Sequence, residues 1–248
     1  MRVLEMRTIR LRLVWLAASV TLIGALLDCP CPTQASPTPQ PGSAAQVHTQ
    51  HDATVHHSFG DVSHWTAVFD DPSRDAWQKP QAVVQALAIV PGMCVADLGA
   101  GTGYFSRYLS TAVGETGTVL AVDTEPNLVV HLRRRAEQEH TANVVPILAS
   151  PDNPRLPAGA VDLVLIVDTV HHIDDRINYF RRLQRFLKPA GRVAVIDFKK
   201  EEIPVGPPLE HKLAPEQVVE EFQAAGYELV AQPDVLPYQY FLVFRSKR

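Results

Sequence analysis

Residues 95–109 read VADLGAGTGYFSRYL. An apolar run starting at Met93 ends at Leu98, three glycines follow at single-residue spacing, and the stretch from Tyr104 has the apolar rhythm of a helix. Strand, glycine-rich turn and helix in that order make the ligand-binding unit of an open α/β sheet. The glycine spacing decides which kind. A dinucleotide-binding turn needs G-x-G-x-x-G, but counting from Gly99 puts Tyr104 at the third position, and counting from Gly101 puts Ser106 there. A phosphate-binding loop of the Walker type needs Gly-Lys-Ser/Thr, and none follows. What remains is G-x-G-x-G, at Gly99, Gly101 and Gly103.

Working outward, short β-branched runs alternate with helical patterns. MCVADL, TVLAVD, VVPILA, VDLVLIVD and GRVAVIDF read as strands covered on both faces. Helical spacing over KPQAVVQALAI, Tyr104 to Ala112, Asn127 to Glu139 and Arg176 to Leu187 separates them. Such alternation predicts a doubly wound, mostly parallel sheet with right-handed crossovers. The last segments break the rhythm: APEQVVEEFQAAG is a helix closed by Gly226, and YELVAQPDVLP and YQYFLVFRSK follow as two strands with no helix between them, an antiparallel addition.

The segment VADLGAGTGYFS closely resembles the first motif of class I S-adenosylmethionine-dependent methyltransferases, and the resemblance extends from about Trp65 onward. It implies a Rossmann-like, seven-stranded sheet with a final antiparallel strand, and S-adenosylmethionine as cofactor. Gly99, Ala100, Gly101 and Gly103 then form the turn against the cofactor, since residues without Cβ let backbone approach a ligand. Asp97 accepts from the ligand's ammonium or from loop amides, and Asp123, ending TVLAVD, takes the ribose hydroxyls. Asp152, four places before a Leu-Pro pair, takes the adenine amino group, although Ser150, Pro151 and Asn153 depart from the commoner pattern. As a plain alternative, the glycines are turn residues and Asp123 a helix cap.

Methyl transfer from a sulfonium is an in-line displacement that needs alignment and exclusion of water; a base is needed only when the acceptor must shed a proton. VDTVHHIDD ends the fourth strand at the ligand edge, so Asp168 is assigned to the cofactor side and His171 or His172 to the general base, the alternative being that the histidines cap or pack the next helix. Trp65, Arg74, Asp75 and Trp77 form a lid, or else an ion pair and core tryptophans. The long loop DFKKEEIPVGPPLEHK offers Lys199 and His211 to a small-molecule acceptor, or else is a solvated charge run. Rival functions are a nicotinamide-dependent oxidoreductase with a degenerate loop and a non-catalytic module that binds S-adenosylmethionine.

A formal charge of -4 and a pI near 6.2 give no field for nucleic acid or an anionic membrane. The first residues carry Arg2, Arg7, Arg10 and Arg12 ahead of an apolar run from Leu13 to Leu27, short of the roughly 20 residues that span a bilayer. Residues 1–35 are therefore read as an export signal directing the domain to the periplasm or outside, with an uncleaved membrane anchor as the alternative and as the sole membrane contact. Residues 36–60, rich in Pro, Gln, Ser, Thr and His, are a linker, and residues 61–248 the domain. His48, His51, His56, His57 and His64 lack a fixed ligand spacing, so no metal is expected. Cys29, Cys31 and Cys94 make no disulfide framework.

Overall fold

The structure, a computed structural model, describes residues 59–247. The leader, the linker up to residue 58, Cys29, Cys31, His48, His51, His56 and His57 lie outside the described residues. No helix among those described is long and apolar enough to cross a membrane.

Three helices lead in: α1 (Val62–Phe69), capped by the Asp61 carboxylate on the His64 N–H, α2 (Arg74–Gln78) and α3 (Pro80–Ala86). Pro80 opens α3, where its missing N–H costs nothing. Then come β1 (Cys94–Leu98), α4 (Tyr104–Val113), β2 (Thr118–Asp123), α5 (Pro126–Gln138), β3 (Val144–Leu148) and β4 (Val161–Val167). After them follow α6 (Arg176–Leu183), β5 (Leu187–Phe198), α7 (Pro215–Ala224), β6 (Tyr227–Ala231) and β7 (Gln239–Ser246).

The seven strands lie in the order β3-β2-β1-β4-β5-β7-β6. β1 to β5 pair in parallel, and β7 runs antiparallel to both its neighbours, β5 and β6. The chain winds outward from β1 to β3 and then jumps back to β4 beside β1, so the order reverses at the β1/β4 border. In open sheets of this kind the ligand crevice lies at such a border, beyond the carboxyl ends of the strands.

Both faces of the sheet are covered, which is why the strands read as continuous apolar runs. Along β4, Leu163 and Leu165 face α3 and α4, packing with Leu87, Phe105 and Leu109. Val164 and Ile166 face α6 and α7, packing with Phe180 and Phe222. Phe222 stacks on Phe180 at 3.9 Å and on Phe244 at 4.0 Å, joining both helices to β7.

Two boundaries differ from the sequence reading. The helix expected through Leu187 stops at Leu183; a single tight turn, Gln184–Phe186, follows and Leu187 already pairs with Val161. The run YELVAQPDVLP is strand only to Ala231, because Pro233 and Pro237 have no N–H to give a ladder. Phe59, within the expected linker, packs its ring 4.7 Å from Trp65.

Candidate active site

The glycine turn is held by backbone bonds to β2. The N–H groups of Gly99 and Ala100 both donate to the Val122 carbonyl at 2.9 Å. Gly99 sits at φ +76, and a Cβ there would fall inside the Thr169 side chain, which follows β4. Gly103, at φ +90, would drive a Cβ to 2.8 Å from Leu132. Gly101, at φ +57, meets only Phe69, at 3.4 Å. Gly99 and Gly103 are thus glycine for packing as well as conformation, whereas at Gly101 conformation is the main constraint.

Two buried carboxylates flank the turn. Asp123 accepts the Gly101 N–H at 2.8 Å through Oδ2 and the Glu125 N–H at 2.9 Å through Oδ1, leaving a lone pair on each oxygen for a ligand. Burial raises its pKa against the pull of those amides. Asp97 accepts from Ser106 Oγ at 2.6 Å, a partner its sequence reading did not name; burial pushes its pKa up to about 6, which the serine bond partly offsets. A turn stripped of side chains beside acidic acceptors fits a cofactor bearing an ammonium and a ribose.

α1 covers this turn. Phe69 leans on Gly101, and Trp65 lies 5.1 Å from Phe69. Asp70, capping the helix, accepts from Thr102 Oγ1 at 3.0 Å and pairs with Arg135 of α5 at 2.7 Å.

On the β4–β5–β7 side the floor is made of side chains from distant segments. Asp168, at φ +50, accepts from Arg74 Nη2 at 3.1 Å and from Gln239 Nε2 at 2.5 Å. Gln239 Oε1 accepts from Gln78 Nε2 at 2.7 Å, and Gln78 Oε1 accepts from Arg74 Nε at 3.2 Å. These four residues close a ring of hydrogen bonds that pins α2 to the ends of β4 and β7. Burial pushes the Asp168 pKa up to about 7, opposed by the Arg74 guanidinium. The guanidinium also lies 4.4 Å from the Tyr104 ring, and Tyr104 donates its hydroxyl to Asp75. Next along, in the helical turn Val170–His172, His171 Nδ1 is 2.8 Å from Asp197 Oδ2, and the His171 and His172 rings are 4.1 Å apart.

Known proteins share this fold. A family profile described as a methyltransferase domain matches residues 95–191. The crystal structure of an S-adenosylmethionine-dependent methyltransferase from Aquifex aeolicus superposes with a TM-score of 0.71 at 30% identity, over 74% of this chain and 97% of that one. The chain belongs to the S-adenosylmethionine-dependent methyltransferases. S-adenosylmethionine is therefore the cofactor, which sets the nicotinamide alternative aside. The ubiquinone/menaquinone biosynthesis C-methyltransferase UbiE of Vibrio vulnificus is 32% identical over 120 residues, 48% of this chain and 45% of that protein. The demethylmenaquinone methyltransferase of Lactococcus lactis is 23% identical over 145 residues, 58% of this chain and 57% of that protein. The chain thus spans about half the length of the curated relatives it matches.

The remaining expected site residues of this methyltransferase scatter. Asp152 is exposed on the turn after β3, its carboxylate accepting from Ser150 Oγ at 2.8 Å. Trp77 is half-buried in α2, its ring 5.9 Å from Phe198 and 5.7 Å from the Arg74 guanidinium. Lys199 is spent on structure: its amine donates to the Pro237 carbonyl at 3.1 Å, tethering the β6–β7 connection. His211 closes a short turn at Leu209–His211, half-buried. The buried cation of that loop is instead Lys212, 3% exposed, donating to the Glu201 carbonyl at 2.9 Å. His64 is exposed on α1 beside Trp65, and no group of three or more metal-ligating side chains occurs among the described residues. Cys94 is a free, half-buried thiol at the start of β1.

Sequence reasoning missed Arg74 as the Asp168 partner, Gln78, Gln239 and Asp197. An acidic residue inside the apolar run GRVAVIDF was the one available signal, because a buried carboxylate needs a partner.

Proposed function

We propose that this enzyme transfers a methyl group from S-adenosylmethionine to a small acceptor bearing an ionisable hydroxyl. Hydroquinones are the first class to test. The observation that carries the reading is the Gly101 N–H on Asp123, with the His171–Asp197 pair following β4, whose Thr169 approaches Gly99 closely. The names of the curated relatives, a C-methyltransferase of ubiquinone/menaquinone biosynthesis and a demethylmenaquinone methyltransferase, support a quinone-type ring as acceptor.

Bound S-adenosylmethionine supplies an electrophilic methyl group on a sulfonium. Asp123 would hold the ribose hydroxyls, Asp97 the ammonium and Asp152 the adenine amino group. Phe69 and Trp65 keep water from the turn, since a displacement that extinguishes charge is faster in a dry, aligned site. The imidazoles after β4 take the proton that the acceptor sheds.

The test uses the full chain with methyl-tritiated donor and naphthohydroquinone under reducing conditions. Label extracted into organic solvent, and S-adenosylhomocysteine bound where NAD is not, are expected. Homocysteine-nucleoside binding without label in any acceptor would leave the non-catalytic alternative standing. We also propose that residues 1–35 export the domain, as their charged start and short apolar run imply; fractionation of a tagged chain with N-terminal sequencing decides it.

A further inference from the structure

The two histidines after β4 differ in what holds them. His172 lies with its ring edge-on to Phe59 at 5.7 Å. His171 is 4% exposed and its Nδ1 meets Asp197 Oδ2 at 2.8 Å, with Asp197 itself 1% exposed. The other carboxylate oxygen, Oδ1, accepts the Phe198 N–H at 2.8 Å, so Asp197 is gripped at both oxygens and cannot swivel. β5 places it in register with Tyr240 of β7. The Tyr240 hydroxyl is buried and has no hydrogen-bond partner among the described residues, so it does not compete for Oδ2.

We propose that Asp197 is a positioning residue for proton acceptance by His171: it fixes the proton on Nδ1 and leaves Nε2 as the atom that receives the acceptor's proton. This rests on the methyl-transfer reading above. The same logic orders any imidazole whose second nitrogen must carry a lone pair. In the step, the acceptor's O–H bond breaks and its proton goes to Nε2. The electron pair left on oxygen is delocalised into the ring, whose carbon forms the bond to the methyl carbon and then loses its own proton to solvent as the ring regains aromaticity. The carbon–sulfur pair stays on sulfur, which leaves as a neutral thioether.

The groups facing His171 are Asp197 from β5, Asp168 at the end of β4, Arg176 of α6 and the neighbouring His172. Arg176 is itself paired with Glu221 of α7 at 2.6 Å, and Tyr240 of β7 faces the same carboxylates. Burial alone favours the neutral imidazole, but the Asp197 charge and hydrogen bond outweigh it, with Asp168 adding, so the His171 pKa is raised. Activity should therefore rise with pH through a midpoint above the ordinary value of about 6.5.

The test combines NMR of ring-labelled histidine, in the full chain saturated with S-adenosylhomocysteine, with initial rates on naphthohydroquinone. Wild-type protein should show the Nδ1–H tautomer at His171 and a raised midpoint. Asp197→Asn should lower that midpoint, shift the rising limb of the rate profile to lower pH and reduce kcat about a hundredfold. KM and homocysteine-nucleoside affinity should stay within about threefold. Asp197→Glu, which restores the charge, should recover the midpoint. An Nε2–H tautomer in the wild type, or an Asp197→Asn rate profile and kcat matching wild type, overturns the proposal. The tautomer is read without turnover, so it decides the matter even if the asparagine variant does not fold. Loss of label transfer by wild type with the tautomer intact would instead count against the methyl-transfer reading.

Discussion

On the β1–β2 side of the crevice, the contacts that build the site bridge short stretches of chain: 9 residues from Asp97 to Ser106 and 22 from Gly101 to Asp123. On the β4–β5–β7 side they bridge 71 residues from Asp168 to Gln239, 94 from Arg74 to Asp168 and 161 from Gln78 to Gln239. The first half is backbone amides, glycines and strand-end carboxylates, fixed by a single βα unit and its neighbour. The second is side chains recruited from an N-terminal helix and the antiparallel strand. The hydrogen bonds around the glycine turn are thus local to one stretch of chain, whereas the ring around Asp168 needs the completed sheet.

Breaking the local half should have the largest effect. Gly99→Ala puts a methyl group inside Thr169 at φ +76, so it should weaken S-adenosylhomocysteine at least about a hundredfold by calorimetry and cost about 2–4 kcal/mol in urea unfolding. Gly101→Ala, facing only Phe69 at 3.4 Å, should cost no more than about tenfold in affinity. Equal losses for the two would refute the packing account of Gly99.

Asp123→Asn removes the charge but not the shape. Charge-assisted bonds contribute about 1.5–3 kcal/mol, so affinity should fall about tenfold to a hundredfold. An unchanged affinity would remove Asp123 from the cofactor site.

The long-range half is sharpened by pH. Asp168 and Asp97 have folded pKa values raised to about 7 and about 6. Above about pH 4 the unfolded chain has released protons that these carboxyls still hold when folded, so stability falls as pH rises from about 4 to 7. Each group contributes a slope of at most about 1.4 kcal/mol per pH unit. Asp168→Asn should flatten that fall in urea midpoints, most visibly between about pH 5 and 7; an unaltered slope would mean that Asp168 ionises freely.

The smallest effect belongs to Asp152→Ala. A single hydrogen bond from an exposed carboxylate contributes about 1 kcal/mol, so affinity for S-adenosylhomocysteine should drop about fivefold or less. A hundredfold loss would mean that the turn after β3 closes over the cofactor.

The same contrast explains what the sequence disclosed. Gly99, Gly101, Gly103 and Asp123 carry their meaning in spacing, since the strand, turn and helix that hold them are contiguous. The seven-stranded order follows from alternation plus two final strands. Arg74 and Gln78 sit on a five-residue helix too short for periodicity, and α1 buries no residue fully, so neither helix leaves an apolar stripe to read. Lys199 and Lys212 look alike in a charged loop, and only the folded chain distinguishes the tether from the buried amine. His171 and His172 are adjacent in sequence, yet Asp197, which meets His171, comes from the next strand of the sheet.

Gln78 and Gln239 join the second helix described to the last strand, across nearly the whole domain. During synthesis the glycine turn and Asp123 are complete long before β7 leaves the ribosome, whereas the ring around Asp168 cannot form until Gln239 arrives. A nascent chain therefore holds every residue of the glycine turn and its Asp123 acceptor while the ring that fastens α2 to β7 is still open.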